Sequence, residues 1–165
     1  MSNISIGNMT LGIYQTNCYF VYREGSDQAL VFDPADHGEK IEEALEQHGL
    51  HTAAVFLTHG HFDHISGCEE LKAAADAYAG EHGGKPAKIY AGEAEKKFLL
   101  DTKSNLSKDM GRPVTVTADV YLKDGEELDL DGIRIQVLAT PGHTAGGVSY
   151  YFPEGGFLIC GDTLF

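Results

Sequence analysis

The feature that most constrains this chain is the apolar run Ala53 to Leu57, which empties directly into Thr58-His59-Gly60-His61-Phe62-Asp63-His64. A continuously apolar run reads as a strand covered on both faces, and such cover requires a layered fold. The loop that follows places three of the chain's eight histidines and a carboxylate within six residues. In extended backbone, residues two apart project to the same side, so His59 and His61 can grip one metal ion while Gly60 lets the backbone turn tightly. Asp63 and His64 then face a neighbouring ion. Imidazole with carboxylate is a donor set that suits zinc, iron or manganese.

The rest of the chain supports layers. Asn17 to Tyr22, Ala29 to Phe32, Ala53 to Thr58, Ile133 to Thr140, Val148 to Phe152 and Phe157 to Cys160 are rich in β-branched and aromatic residues and read as strands. Ala29 to Phe32 is apolar throughout, whereas Ile133, Ile135 and Val137 alternate with Arg134 and Gln136, as in a strand with one wet face. Between them lie helical signals. Asp36 and Glu39 stand in capping-box spacing, followed by Ile41, Ala44 and Leu45 on one face and Gly49 as a stop. Ser66 and Glu69 repeat the cap, Ile65, Cys68, Leu71, Ala75 and Tyr78 form a stripe, and Gly80 ends it. A third helix is expected over Glu93 to about Leu106. Strands, then alternating helices and strands, then strands again favour sheet layers flanked by helices.

Composition narrows the function classes. Twenty-five acidic against 12 basic side chains give a net charge of −13, which repels phosphate backbones, so no nucleic-acid partner is expected. Lys85 to Lys88 and Lys96-Lys97 read as solvated faces. No apolar stretch approaches the roughly 20 residues of a membrane span, and Met1 to Asn17 lacks the pattern of a secretory signal. The expectation is a cytoplasmic protein with a small-molecule substrate and no membrane association; the oligomeric state is not legible. Three scattered cysteines, Cys18, Cys68 and Cys160, read as reduced packing residues rather than a disulfide framework.

Two further candidate ligands also follow apolar strands: His143 in Pro141-Gly142-His143-Thr144, and Asp162 after Phe157 to Gly161. Together the His-x-His-x-Asp-His run, the Pro-Gly-His-Thr segment and the Gly-Asp-Thr-Leu-Phe ending resemble the metallo-β-lactamase superfamily, and within it the glyoxalase II-like (hydroxyacylglutathione hydrolase-like) metallohydrolases. The resemblance covers nearly the whole chain and implies an α/β four-layer αββα sandwich. It implies two divalent ions, zinc first, with iron or manganese as alternatives. His59, His61 and His143 would hold one ion, Asp63 and His64 the other, and Asp162 would bridge them. The family pattern carries a further histidine beyond the bridging aspartate, with the last strands and helix. Because this sequence stops at Phe165, the expectation is a single domain over residues 1–165, incomplete at its C-terminus.

The implied activity is thioester hydrolysis of an S-acyl-glutathione-like substrate by a metal-bridging hydroxide, with Asp63 as the catalytic side chain. Two alternatives stand beside it. One is a persulfide dioxygenase with a single iron held by His59, His143 and Asp162; the other is an inactive metal-binding fragment. Asp33, in Phe32-Asp33-Pro34, reads equally as a turn residue or as a group orienting a ligand histidine. His37, His48, His51 and His82 read as solvated.

Overall fold

The computed structural model describes residues 3–163. The chain runs β1 (Ile4–Leu11), β2 (Thr16–Arg23), β3 (Gln28–Phe32), α1 (Gly38–Glu46), β4 (His51–Phe56), α2 (Phe62–Ile65), α3 (Cys68–Glu81) and β5 (Lys88–Gly92). A 3₁₀ turn (Glu93–Glu95) leads into α4 (Lys96–Leu100), followed by β6 (Val120–Leu122), β7 (Glu127–Leu130), β8 (Ile133–Ala139), β9 (Val148–Phe152), β10 (Phe157–Ile159) and a last 3₁₀ turn at Gly161–Thr163. The strands form a six-stranded sheet ordered β1-β2-β3-β4-β5-β6 and a four-stranded sheet ordered β10-β9-β8-β7. The first is antiparallel from β1 to β3 and parallel from β3 to β6. The second is antiparallel throughout.

The two strand patterns of the sequence correspond to two environments. β3 and β4, in the middle of the first sheet, are covered on both faces. One side meets α1 and α3 through Ala29, Val31, Val55, Ile41, Leu45 and Leu71. The other meets the second sheet through Phe32, Phe56, Ile133, Ile135, Tyr150 and Phe152. The inter-sheet layer is aromatic: Phe32 stacks on Phe56 at 4.8 Å, and Phe56 on Tyr90 at 4.6 Å. In β8 the alternation holds, with Ile133, Ile135 and Val137 buried and Arg134 exposed. The expected sandwich is therefore present as helices, sheet and sheet. Among the described residues no helix covers the outer face of the second sheet, where Leu138 and Leu158 are exposed.

Several local expectations need correction. Neither capping box forms: α1 starts from His37 at φ 49°, with Asp36 accepting the His37 N–H at 2.9 Å, and α3 starts from Gly67. Ser66 instead donates to Phe62 O, closing α2. The helix expected to reach Leu106 ends at Leu100, because the Asp101 side chain accepts hydrogen bonds from Lys103 N, Ser104 N and Ser104 Oγ and folds the chain into a turn. Gly49, at φ 72°, does stop α1.

The parallel strands end together. Asp33 follows β3, Thr58 to His64 follow β4, and Glu95 follows β5. The second sheet comes to the same edge, where Val148 N donates to Thr58 O at 2.8 Å and Tyr150 Oη to Leu57 O at 2.7 Å. The crevice beyond the carboxyl ends of parallel strands is where open α/β sheets place their ligands.

Candidate metal centre

Five of the six residues picked out by sequence converge on one point, the Oδ2 atom of Asp162. It lies 3.3 Å from His59 Nε2, 3.2 Å from His64 Nε2 and 3.1 Å from His143 Nε2. His61 joins through its Nδ1, 2.9 Å from His143 Nε2. Asp63 stands at the edge, with Oδ2 3.6 Å from His64 Nε2 and accepting from Thr16 Oγ1 at 3.1 Å. The last two residues of the Gly-Asp-Thr-Leu-Phe segment, Leu164 and Phe165, lie outside the described residues.

Local structure explains the convergence. β4 ends at Phe56, and Gly60 fits only because it has no side chain: a Cβ there would lie 2.8 Å from Leu99 and 2.9 Å from Phe98. The chain then enters the single turn of α2, so Asp63 and His64 arrive from helical rather than extended backbone. Gly161, at φ 54°, breaks β10 and swings Asp162 toward the histidines. Cys160 is half-buried instead of packed, and it lines a small cleft with His59, His143 and Asp162.

The donor set fits a metal ion. The Thr58 hydroxyl gives its proton to Asp33 Oδ2 at 2.6 Å, so it accepts from His59 Nδ1, 3.0 Å away. That leaves the buried His59 Nε2 with a bare lone pair and, among the described residues, no hydrogen-bond partner. Donors 2.0–2.1 Å from a shared tetrahedral ion stand roughly 3.3–3.4 Å apart, close to the His59–Asp162 and His143–Asp162 separations of 3.3 and 3.1 Å. His59, His61, His143 and Asp162 bring one donor atom each within 4.8 Å of the others, and so do Asp33, His59 and His64.

Charge states follow from these contacts. Burial, with His64 beside it, pushes His59 down to about 4. His61 is lowered by burial and by His143. His64 goes the other way: burial opposes its charge, but Asp33, Asp162 and Asp63 outweigh that and lift it to about 10. The His64 hydrogen bond holds Asp162 down at about 2 against its own burial.

Two supporting residues decide the geometry. Asp33 is buried at φ 54°, and its carboxylate accepts from Thr58 N at 2.8 Å, Thr58 Oγ1 and His64 Nδ1 at 2.9 Å. The orienting alternative is thus the one the structure realises. Glu95 was not singled out by sequence. It is buried, accepts from Gly60 N at 2.9 Å and Thr144 Oγ1 at 3.1 Å, and so ties the first histidine loop to the His143 loop. Burial raises its pKa against those hydrogen bonds. The signal was available, since Glu95 also follows an apolar strand end. His51 needs correction as well: it is half-buried, stacked on Tyr78 and 3.4 Å from Glu42, at the opposite end of β4.

Comparison with known proteins agrees with the fold. The chain matches the metallo-beta-lactamase superfamily over residues 11–165 and belongs to that superfamily. It is 36% identical over 160 residues to the probable metallo-hydrolase YqgX of Bacillus subtilis, covering 95% of this chain and 70% of that protein. Among solved structures, BLEG-1 B3 metallo-beta-lactamase superimposes with a TM-score of 0.79 at 34% identity, over 98% of this chain and 73% of that one. TTHA1623 in a di-iron-bound form gives 0.76 at 30%, over 96% and 73%. The hydroxyacylglutathione hydrolase of Ectopseudomonas mendocina is 35% identical over 85% of this chain, which spans 44% of that enzyme. No helix among the described residues is long and apolar enough to cross a membrane.

Proposed function

We propose that the chain carries the binuclear metal centre of a thioester hydrolase, with His59, His61 and His143 holding one ion, Asp63 and His64 the other, and Asp162 between them. The observation that carries this reading is Asp162 Oδ2, within 3.1–3.3 Å of imidazole nitrogens from both groups. Divalent ions held there would supply Lewis acidity and activate water near neutral pH. The side chains supply the rest. Asp33 fixes the His64 ring so that Nε2 faces the centre, and Thr58 does the same for His59. Asp63, oriented by Thr16, lines both cavities at the mouth and accepts a proton from the attacking water. Water oxygen bonds to the acyl carbon, the C–S bond breaks, and the proton leaves with the thiol. A thiolate leaves readily because thiol pKa values are low, about 8.5.

Similarity to hydroxyacylglutathione hydrolases supports an S-acyl-glutathione-like thioester as substrate. The test is elemental analysis of the purified chain followed by turnover of S-acyl-glutathione. Two ions per chain with thioester hydrolysis is the expected result. One iron with oxygen consumption on a glutathione persulfide would replace the reading with a dioxygenase, and a chain that retains no metal would overturn it.

A further inference from the structure

Two cavities meet at Asp63. One, about 190 Å³, is walled by Leu11, Ile13, Tyr14, Phe62 and Met110. The other, about 320 Å³, is polar, with Gln15, Asn17, Tyr19 and Asp162 in its lining. Tyr14, Thr16 and Asp63 line both, so the tip of the β1–β2 hairpin stands between them as a partition. The apolar slot is built by contacts among its own walls: Tyr14 meets Phe62 edge-on at 5.5 Å and directs its hydroxyl at Met110 Sδ, 3.8 Å away. Arg112, beside it, is engaged by Asp36 at 2.8 Å and Glu70 at 3.7 Å, so the slot offers apolar surface rather than spare charge. Ile13 is 81% and Met110 40% exposed. Large apolar side chains left open beside a polar centre mark a surface that a ligand covers.

Resting on the thioesterase reading, we propose that this slot takes the apolar arm of the substrate, a linear chain of up to about six carbons, while the polar arm lies in the neighbouring cavity. The size follows from volume, since a cavity of roughly 150 Å³ holds benzene and this one is about 190 Å³. Each methylene buried should raise kcat/KM by up to about fourfold, and the gain should stop once the slot is full.

Two thioester series test this, one varying the acyl chain from acetyl to decanoyl on a fixed thiol, the other varying the thiol chain on a fixed acetyl group. A rise in kcat/KM to a plateau near six carbons in either series supports the slot and says which arm enters it. Met110→Ser and Ile13→Ser, both at exposed positions, should flatten that rise, while Leu158→Ser on the second sheet should not. Turnover independent of chain length in both series would overturn the slot and leave the hydrolase standing. If no thioester is turned over, the hydrolase reading fails, and titration with hexanamide, followed at the Met110 methyl resonance, decides the slot separately. Saturable binding that Ile13→Ser weakens supports it; no binding overturns it.

Discussion

Asp33 shows how one buried carboxylate governs a site it need not enter. Its oxygens take three hydrogen bonds, two from Thr58 and one from His64; the first two set the hydroxyl that accepts from His59 Nδ1, and the third sets the His64 ring. Asp33→Asn keeps the shape but puts an amide N–H where Thr58 or His64 must donate. Loss of such an orienting partner costs about 10–100-fold in metal affinity, and the expected loss falls on the ion that His64 is proposed to hold. Competition with a fluorescent chelator reads it; unchanged affinity for both ions would remove Asp33 from the design. His64 carries a second prediction. Its value of about 10 in the metal-free fold lies above the ordinary 6.5, so the pairing stabilises fully below pH 6.5 and is lost as pH rises toward 10. Ligation through Nε2 needs the neutral ring, with Nδ1–H still given to Asp33. Loading metal at pH 8 should therefore release a proton from His64 and none from His59, which is already neutral with its value near 4. Calorimetry in two buffers of different ionisation enthalpy counts that proton, and a count of zero would contradict a charged His64.

At the scale of elements, the histidine loop is held by backbones that approach too closely for side chains. α1 and α3 pack together at the start of both helices, where a Cβ on Gly38 would fall 2.1 Å from Gly67 O and 2.3 Å from Leu71 N. Both are backbone atoms that cannot swing aside, so Gly38→Ala should cost about 1–3 kcal/mol or more. Gly80, inside α3, has nothing within 4 Å of an added Cβ, and Gly80→Ala should stabilise by about 0.5–1 kcal/mol through helix propensity alone. Denaturant midpoints for the two variants should move in opposite directions; movement the same way would refute the packing argument. This contrast also marks what could be read in advance. Strands with a strong apolar signature, such as β3 and β4, were legible because burial on both faces selects their composition. β1, β5, β6 and β7 were not seen. β1 is an edge strand interrupted by Gly7 and Asn8, β6 has three residues, and β7 alternates Leu with Glu and Asp, so their pairing is dictated by neighbours rather than by their own pattern. The caps failed for the same reason: Asp36 and Ser66 have local and tertiary partners that compete with the helix ends. The candidate ligands stood out because metal chemistry admits few residue types, whereas Glu95 acts by accepting from Gly60 N and Thr144 Oγ1, and only its place after a strand end marks it in sequence.

Across the whole molecule, the candidate centre is the place where the two sheets are tied at their edges. His59 and His61 come from the end of β4 in the first sheet, while His143 and Asp162 follow β8 and β10 in the second. Protein contacts already cross there, from Val148 to Thr58, Tyr150 to Leu57 and Thr144 to Glu95. An ion sharing those ligands adds a crosslink that only the folded chain can offer, because the unfolded chain scatters its donors. Binding to the folded state alone stabilises by about 2.7 kcal/mol at a free ion concentration one hundred times Kd. For a chain of this size that is roughly 5–10 °C in Tm, so a chelator should lower Tm by about that much. The aromatic layer around Phe32, Phe56, Tyr150 and Phe152 is independent of the ion, so the metal-free protein should keep its far-ultraviolet dichroism. His143→Ala removes a proposed ligand from a partly exposed position on the second-sheet side and should reproduce the chelator's effect, leaving chelator little further to do. A Tm indifferent to chelator while metal is measurably lost would mean that the ion does not bridge the sheets, and the centre would then be a passenger on a fold that holds its own edge closed.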